Sequence, residues 1–168
     1  MRLELKKLRS KDYLGEVYET HVNMVYRICF TLLKNTTDTE DMVQNTFIKF
    51  MEQSDSFRSE EHIKAWLIVT SSNLCKNHLK HWWYKRAPVD EWDHPVFMDD
   101  GETREVMEAL WEIPEKYRIV LYLYYLEGYK CVEIAEMLGK SSSTVRTHLE
   151  RGRQALRKKL GGGYTGGE

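Results

Sequence analysis

Residues 131–157 constrain this chain more than any other stretch. They read CVEIAEMLGKSSSTVRTHLERGRQALR. The spacing predicts two short helices joined by a tight turn. Ala135 stands where crossing helices come closest, so a larger side chain would push them apart. Gly139 stands where the chain must reverse, a place for positive φ. Val145 and Leu149 then point back onto Ile134 and Leu138. With that apolar seam committed inward, Ser142, Ser143, Arg146 and Thr147 are left facing out near the start of the second helix. In a helix-turn-helix that end of the recognition helix meets base edges in the major groove.

Two helices around a glycine also occur in ordinary helical bundles, so the seam needs a second signal, and charge supplies it. Between Lys140 and Leu160 the basic residues are Lys140, Arg146, Arg151, Arg153, Arg157, Lys158 and Lys159, against the single acid Glu150, a local charge of +6. A solvated face in an ordinary domain mixes both signs, whereas a one-sided basic face is the footprint of nucleic-acid binding. The whole-chain net charge of -1 hides this, because the charge is unevenly distributed.

At 168 residues, with 42% hydrophobic and 30% charged side chains, the chain has room for one ordinary domain or two small ones and a globular composition. Its three cysteines, Cys29, Cys75 and Cys131, are far apart and fall in helical patterns. They are expected to be free, buried thiols in a reducing cytoplasm. Cys75, His78 and His81 form a C-x-x-H-x-x-H run, but on a helix the first and third diverge around the axis, so no metal is expected. The start, Met1 to Lys7, has no apolar segment of signal-peptide type. The densest apolar run, Ile119–Leu126, is far too short to span a bilayer. No membrane insertion is expected, and the localisation implied is cytoplasmic.

Helices account for nearly everything legible. The first is predicted from about Lys11 to Lys34, capped by Ser10, with Leu14, Val17, Tyr18, Val25, Ile28 and Leu32 as its stripe. The second follows a capping box, Thr37-Asp38-Thr39-Glu40. It has an apolar face of Met42, Val43, Phe47, Phe50 and Met51, with Asp41, Gln44, Asn45 and Lys49 on the other side. The polar run Gln53 to Ser59 breaks the pattern. A third helix is predicted from Glu60 to about Tyr84, capped by Ser59, with Ile63, Trp66, Leu67, Thr70 and Leu74 inward. Its end turns basic: Lys76, Lys80, Lys85 and Arg86 appear with no acid and with Trp82, Trp83 and Tyr84 among them. Rings beside cations suit unstacked bases and their phosphates, although three consecutive aromatics cannot all face one way and some complete the core.

Ala87 to Glu105 changes character, with two prolines and seven acids against Arg104, a local charge of -6. It lacks helical periodicity and reads as a flexible acidic linker between two domains. Beyond it, one short helix holds Val106, Leu110 and Trp111. Pro114 opens another, carrying Tyr117, Val120, Leu121 and Tyr124 and ended by Gly128. The helix-turn-helix follows, its last helix running on through Gly152, Leu156 and Leu160. The expected fold is all-α. Residues 1–86 form a helical bundle, 87–104 the linker, 105–160 a helix-turn-helix domain, and the glycine-rich 161–168 a flexible tail.

Two basic helical modules on an acidic tether, one suited to melted DNA and one to duplex, resemble the bacterial RNA polymerase sigma factors of the extracytoplasmic-function (ECF) type, in the sigma-70 family. The likeness runs over roughly Tyr13–Leu160. Thr39-Glu40-Asp41-Met42-Val43-Gln44-Asn45-Thr46-Phe47 is similar to the region-two pattern A-E-D-L-V-Q-E-x-F. Ala65-Trp66-Leu67 through Asn73 is similar to W-L-x-x-x-x-x-N. Ile113-Pro114-Glu115-Lys116-Tyr117-Arg118, Glu127-Gly128-Tyr129 and Glu133-Ile134-Ala135 resemble region four. The chain departs from the family at Val69, where Arg is frequent, and at Lys140, a turn position usually apolar. Both departures bear on which promoter is read.

The resemblance implies roles. Asp41, Gln44 and Asn45 would meet the β′ clamp helices of core RNA polymerase, with Phe47 supporting them from the core. Region four would meet the β flap. Ser56 and Arg58, in the loop Ser54–Ser59, would help receive a base flipped from the −10 element of promoter DNA, and Asn73, Lys76, Asn77, Lys80 and Trp83 would contact its strand. Ser142, Ser143, Arg146, Thr147, Arg151 and Arg153 would read or grip the −35 element. The acidic linker would run towards the RNA exit path. An anti-sigma factor is common in the family and is a candidate partner. The implied place is the nucleoid when on polymerase, or the membrane when held by such a factor. No cofactor and no catalytic residue are implied.

Two rival readings make different demands. A stand-alone helix-turn-helix regulator, with residues 1–86 sensing or dimerising, would have no need of the basic aromatic end of the third helix. A nuclease or recombinase needs clustered carboxylates with a metal, or a nucleophile with an activating partner. The acids here sit at helix starts or in the linker, and no such constellation is legible.

Overall fold

The computed structural model describes residues 11–82 and 101–161. The chain divides into two compact units, Met1–Val89 and Asp90–Glu168, and among the described residues helices are the only regular structure. None of these helices is long and apolar enough to cross a membrane.

The first unit is built from α1 (Lys11–Leu33), α2 (Thr36–Glu52), a 3₁₀ turn (Ser54–Ser56) and α3 (Glu60–Trp82). The core of α1 comprises Val17, Met24, Val25, Ile28, Cys29, Phe30, Leu32 and Leu33. Tyr18, expected in that stripe, is 47% exposed, its ring in a T-shaped contact with Phe47 at 4.8 Å between centroids. Lys34 ends α1 with φ 68°, and its N–H reaches back to the Phe30 carbonyl at 3.0 Å.

The start of α2 lies upstream of the predicted capping box. Asn35 is the N-cap. Its backbone is extended, its Oδ1 accepts the Asp38 N–H at 2.8 Å, and its Nδ2 donates to the Asp38 carboxylate at 2.8 Å. Such a cap contributes about 1 kcal/mol. With Asn35 as the cap, Thr39 falls inside the helix and is fully buried. Phe50 takes the inward position at the end of α2, and Met51, expected inward, is 52% exposed.

On α3, Ser59 Oγ accepts the His62 N–H at 3.1 Å, as the cap position required. The buried face is Ile63, Leu67, Ile68, Ser71, Ser72 and Cys75, turned slightly from the predicted stripe, so that Trp66, Thr70 and Leu74 are half-buried. The short side chains Ser71, Ser72 and Cys75 are what the crowded centre of this bundle admits.

The second unit contains α4 (Gly101–Trp111), α5 (Glu115–Tyr125), α6 (Cys131–Leu138) and α7 (Ser142–Lys159). Helix α4 begins inside the stretch expected to be linker. Val106, Met107, Leu110 and Trp111 recur at helical spacing, and Met107, Leu110 and Trp111 are buried, so apolar burial carries the helix back through Arg104. Pro114 is the N-cap of α5, which ends at Tyr125, before the turn through Gly128 (φ 73°). The turn into α7 is a Schellman closure: Gly139 has φ 63° and the Lys140 N–H bonds the Ala135 carbonyl at 2.9 Å. Ile134, Ala135, Val145 and Leu149 are buried as the seam required, with Leu138 half-buried. Helix α7 lies on α5 through Gly152, where an added Cβ would stand 3.0 Å from Leu121 Cδ1 and 3.3 Å from Tyr117 Cβ. A glycine in mid-helix costs about 1 kcal/mol of propensity, and this one is what the close approach demands.

Candidate nucleic-acid interface

The outward face of α7 is set by its cap and its seam. Ser141 Oγ accepts the Thr144 N–H at 3.2 Å, which starts the helix. Val145 and Leu149, both buried, then fix its rotation. Ser143, Arg146, Thr147, Glu150, Arg151 and Gln154 line one surface groove. Thr147 Oγ1 donates back to the Ser143 carbonyl at 3.0 Å, and the residue is exposed. Ser142, expected to face out, is half-buried in the first turn. Arg153 is engaged elsewhere. Its Nε donates to the Tyr125 hydroxyl at 2.5 Å, its guanidinium lies 5.4 Å from the Tyr124 ring and 5.5 Å from the Tyr125 ring, and it approaches Glu150 at 3.8 Å. It packs α7 on the end of α5 rather than standing free beside Arg146.

Around the start of α5 lies a cluster that sequence reading did not single out. The Arg151 guanidinium beside Tyr117 holds its phenol below the usual tyrosine range, with Lys116 adding to the effect. The Lys116 ammonium sits 5.1 Å from the Tyr117 ring centroid, and the His148 ring meets Tyr117 edge-on at 5.3 Å. Burial, then Lys140, Lys116 and Arg151, push His148 below its ordinary imidazole value. One residue along, Arg118 is buried; desolvation pulls it down to about 10, against the opposing effect of Glu115.

In the first unit the basic end of α3 presents Asn73, Asn77 and Lys80 to solvent, with Lys76 half-buried. Trp83 lies outside the described residues. His78 approaches Asp38 at 3.2 Å, which ties this end of α3 to the capped start of α2. Cys75 points into the core and His81 is exposed, so the C-x-x-H-x-x-H run does not converge. Among the described residues no group of three or more His, Cys, Asp or Glu side chains could hold a metal.

The loop before α3 is anchored by Phe57, only 5% exposed within an otherwise polar run. Its ring stacks on Phe50 at 5.0 Å and meets Trp66 and His62 edge-on, each at 5.3 Å. The Arg58 N–H donates to His62 Nδ1 at 3.3 Å, which places the proton of a neutral ring on Nε2. Ser56 and Arg58 are exposed on this loop. Phe57 was legible in principle, as the lone large ring in a polar stretch; His62 was not, because its role follows from the loop's path. On α2, Asp41, Gln44 and Asn45 are exposed along one face and Phe47 is buried beneath them. Ile48 on the same helix is 49% exposed.

Comparisons with known proteins agree in both units. The family pattern of sigma-70 region 2 matches residues 17–84, and that of sigma-70, region 4 matches residues 103–156. The chain is 26% identical to the ECF RNA polymerase sigma factor SigW of Bacillus subtilis over 95% of both chains. It is 29% identical to the RNA polymerase sigma factor SigV of the same organism, over 92% of this chain and 95% of that one. Among solved structures, the fold is shared with the sigma factor RpoE crystallised with the anti-sigma factor NepR from Bartonella quintana (TM-score 0.77, 20% identity, 90% of this chain and 98% of that one). It is also shared with CnrH in complex with the cytosolic domain of CnrY (TM-score 0.71, 21% identity, 97% and 98%).

Proposed function

The chain belongs to the sigma-70 family, in its ECF group, and directs promoter-specific transcription initiation, and on that footing we propose how its surfaces divide the work. The exposed α2 face of Asp41, Gln44 and Asn45, backed by Phe47, docks on the β′ clamp helices of core RNA polymerase. The second unit meets the β flap and reads the −35 element through Ser142, Ser143, Arg146, Thr147 and Arg151, with Arg153 fixing the helix that presents them. Ser56, Arg58, Asn73, Lys76, Asn77, Lys80 and Trp83 engage the −10 strand, and the loop anchored by Phe57 receives its flipped base. Unstacking a base costs a few kcal/mol, which contacts in a pocket offset. Binding energy is the only reagent in this scheme, and none of these residues is assigned a catalytic part.

The observation that carries this reading is the outward face of α7, where Arg146 and Arg151 stand exposed and form no ion pair among the described residues. Held by polymerase at a fixed separation, two weak DNA contacts gain effective concentration. The working location is the cytoplasm, on the nucleoid when bound to polymerase, with an anti-sigma factor at the membrane as the candidate brake. Residues 87–104 act as the acidic linker between modules at 1–86 and 105–160, with 161–168 as a tail.

Two variants test the division. Arg146→Ala is expected to lose upstream-element recognition and keep polymerase binding; Asp41→Ala combined with Gln44→Ala is expected to do the reverse. Identical behaviour of the two in a core-polymerase pull-down and a promoter footprint would overturn it.

A further inference from the structure

Helix α3 runs on past its core. Leu67, Ser71 and Cys75 are buried on its inward face, and helical spacing places His78 on that same face, one turn beyond Cys75. An apolar side chain would serve for packing there; this chain has an imidazole. Its Nε2 is buried, with no hydrogen-bond partner in line among the described residues, and it faces the Asp38 carboxylate at 3.2 Å. Asp38 is not free to follow the ring. Its carboxylate accepts from Asn35 Nδ2 at 2.8 Å, and its N–H donates to Asn35 Oδ1 at 2.8 Å. Both side chains are largely shielded from water, 25% exposed for His78 and 22% for Asp38, so their electrostatic contact is only weakly screened. On the far side of the helix, Asn73, Asn77 and Lys80 form one exposed row, being four and then three residues apart.

We infer that His78, held by Asp38, is a positioning residue that sets which way the row Asn73, Asn77 and Lys80 faces. The inference rests on the proposed capture of the −10 strand by that row and adds what aims it. Between two helices an apolar contact tolerates slippage, whereas a polar pair at one seam position fixes register and costs some stability. Asn35 ties Asp38 to the start of α2, so the end of α3 is aimed relative to the helix on which Asp41, Gln44 and Asn45 lie exposed. Polymerase docking on that face would carry the strand-binding row with it. Neither His78 nor Asp38 need touch DNA.

The test uses the full chain bound to core RNA polymerase and a randomised pool of single-stranded DNA, scored by how strongly the preferred sequence is enriched. His78→Leu fills the seam but leaves the carboxylate without its partner. It is expected to keep polymerase binding and to hold urea stability at the wild-type level or above, yet to lower enrichment about tenfold. Asp38→Asn can still accept from Asn35 Nδ2 and is expected to lower enrichment by a similar factor. The double variant should lose no more than either single one, since both act through one contact. A purely structural role predicts instead that binding falls only in step with stability. Unchanged enrichment in His78→Leu, lost polymerase binding, a double-variant loss equal to the product of the single losses, or a loss that tracks destabilisation would each overturn the positioning role. Asn77→Ala combined with Lys80→Ala separates this from the broader reading. Where that pair abolishes enrichment and His78→Leu does not, only the positioning role fails. Where that pair leaves enrichment intact, the −10 reading itself fails and the positioning role goes with it.

Discussion

Phe57→Ala is the substitution that connects packing to melting most closely. Phe57 is 5% exposed and touches three rings, those of Phe50, Trp66 and His62. Removing a buried phenylalanine loses roughly 2–3 kcal/mol of transfer free energy, and ring pairs of this kind add about 0.5–1.5 kcal/mol beyond burial. The loop can partly collapse into the space, so the expected cost is about 3 kcal/mol, the lower end of the Phe→Ala range. That is a large share of a small domain's stability. Urea unfolding of the full chain, followed by far-ultraviolet circular dichroism, should show the loss in the transition of the first unit alone. Phe57→Leu keeps most of the volume and is expected to restore about half of the loss on that scale. With Phe57→Leu still folded, transcription from a double-stranded promoter should fall, and a template with its −10 segment already mismatched should recover it. A destabilisation below about 1 kcal/mol for Phe57→Ala, outside the range for a buried ring, or no rescue by the premelted template, would refute the anchoring role.

Other expectations concern the second unit. Gly139→Ala should destabilise by about 1–2 kcal/mol through backbone strain alone, since nothing lies within 4 Å of the added Cβ; thermal melts check this. Gly152→Val should cost about 1–3 kcal/mol by overpacking against Leu121 and Tyr117, and a variant as stable as wild type would contradict the close approach of α5 and α7. His148 has a folded value below its unfolded one, so the native state binds fewer protons and stability rises with pH through that window. Stability should therefore fall as pH drops below about 6.5, and His148→Gln should flatten that slope in urea titrations at successive pH values.

Periodicity and short-range chemistry made much of the fold legible in advance. The Ala135–Gly139–Val145–Leu149 seam is a local pattern, and a positive φ at Gly139 needs no knowledge of distant residues. The exposed row Asp41, Gln44 and Asn45 over buried Phe47 follows from helical spacing. What escaped was set by tertiary contact or by a local bond that outcompetes the expected one. Asn35 outcompeted the Thr37 capping box because it bonds Asp38 through both its oxygen and its nitrogen. Tyr18 and Met51 sit at the edges of their apolar stripes, where a small rotation decides burial. Gly101–Arg104 reads as linker by charge yet joins a helix whose buried residues lie further on. Arg153 has the right spacing for the outward face, but a tyrosine pair on α5, distant in sequence, captures it. The cluster around Tyr117 was invisible for the same reason, since its members come from three elements.

The central claim is that two weak DNA-gripping modules become selective only when polymerase sets their separation. Its most direct measurement is the affinity of the full chain for a promoter fragment, by fluorescence anisotropy, with and without core RNA polymerase. Tethering two weak contacts raises avidity by roughly 10²–10⁴-fold, so the account expects a gain of at least about 100-fold with core enzyme, and an isolated chain that binds weakly and loses its hold as salt rises. Nanomolar binding to a specific duplex by the chain alone, unchanged when polymerase is added, would contradict it.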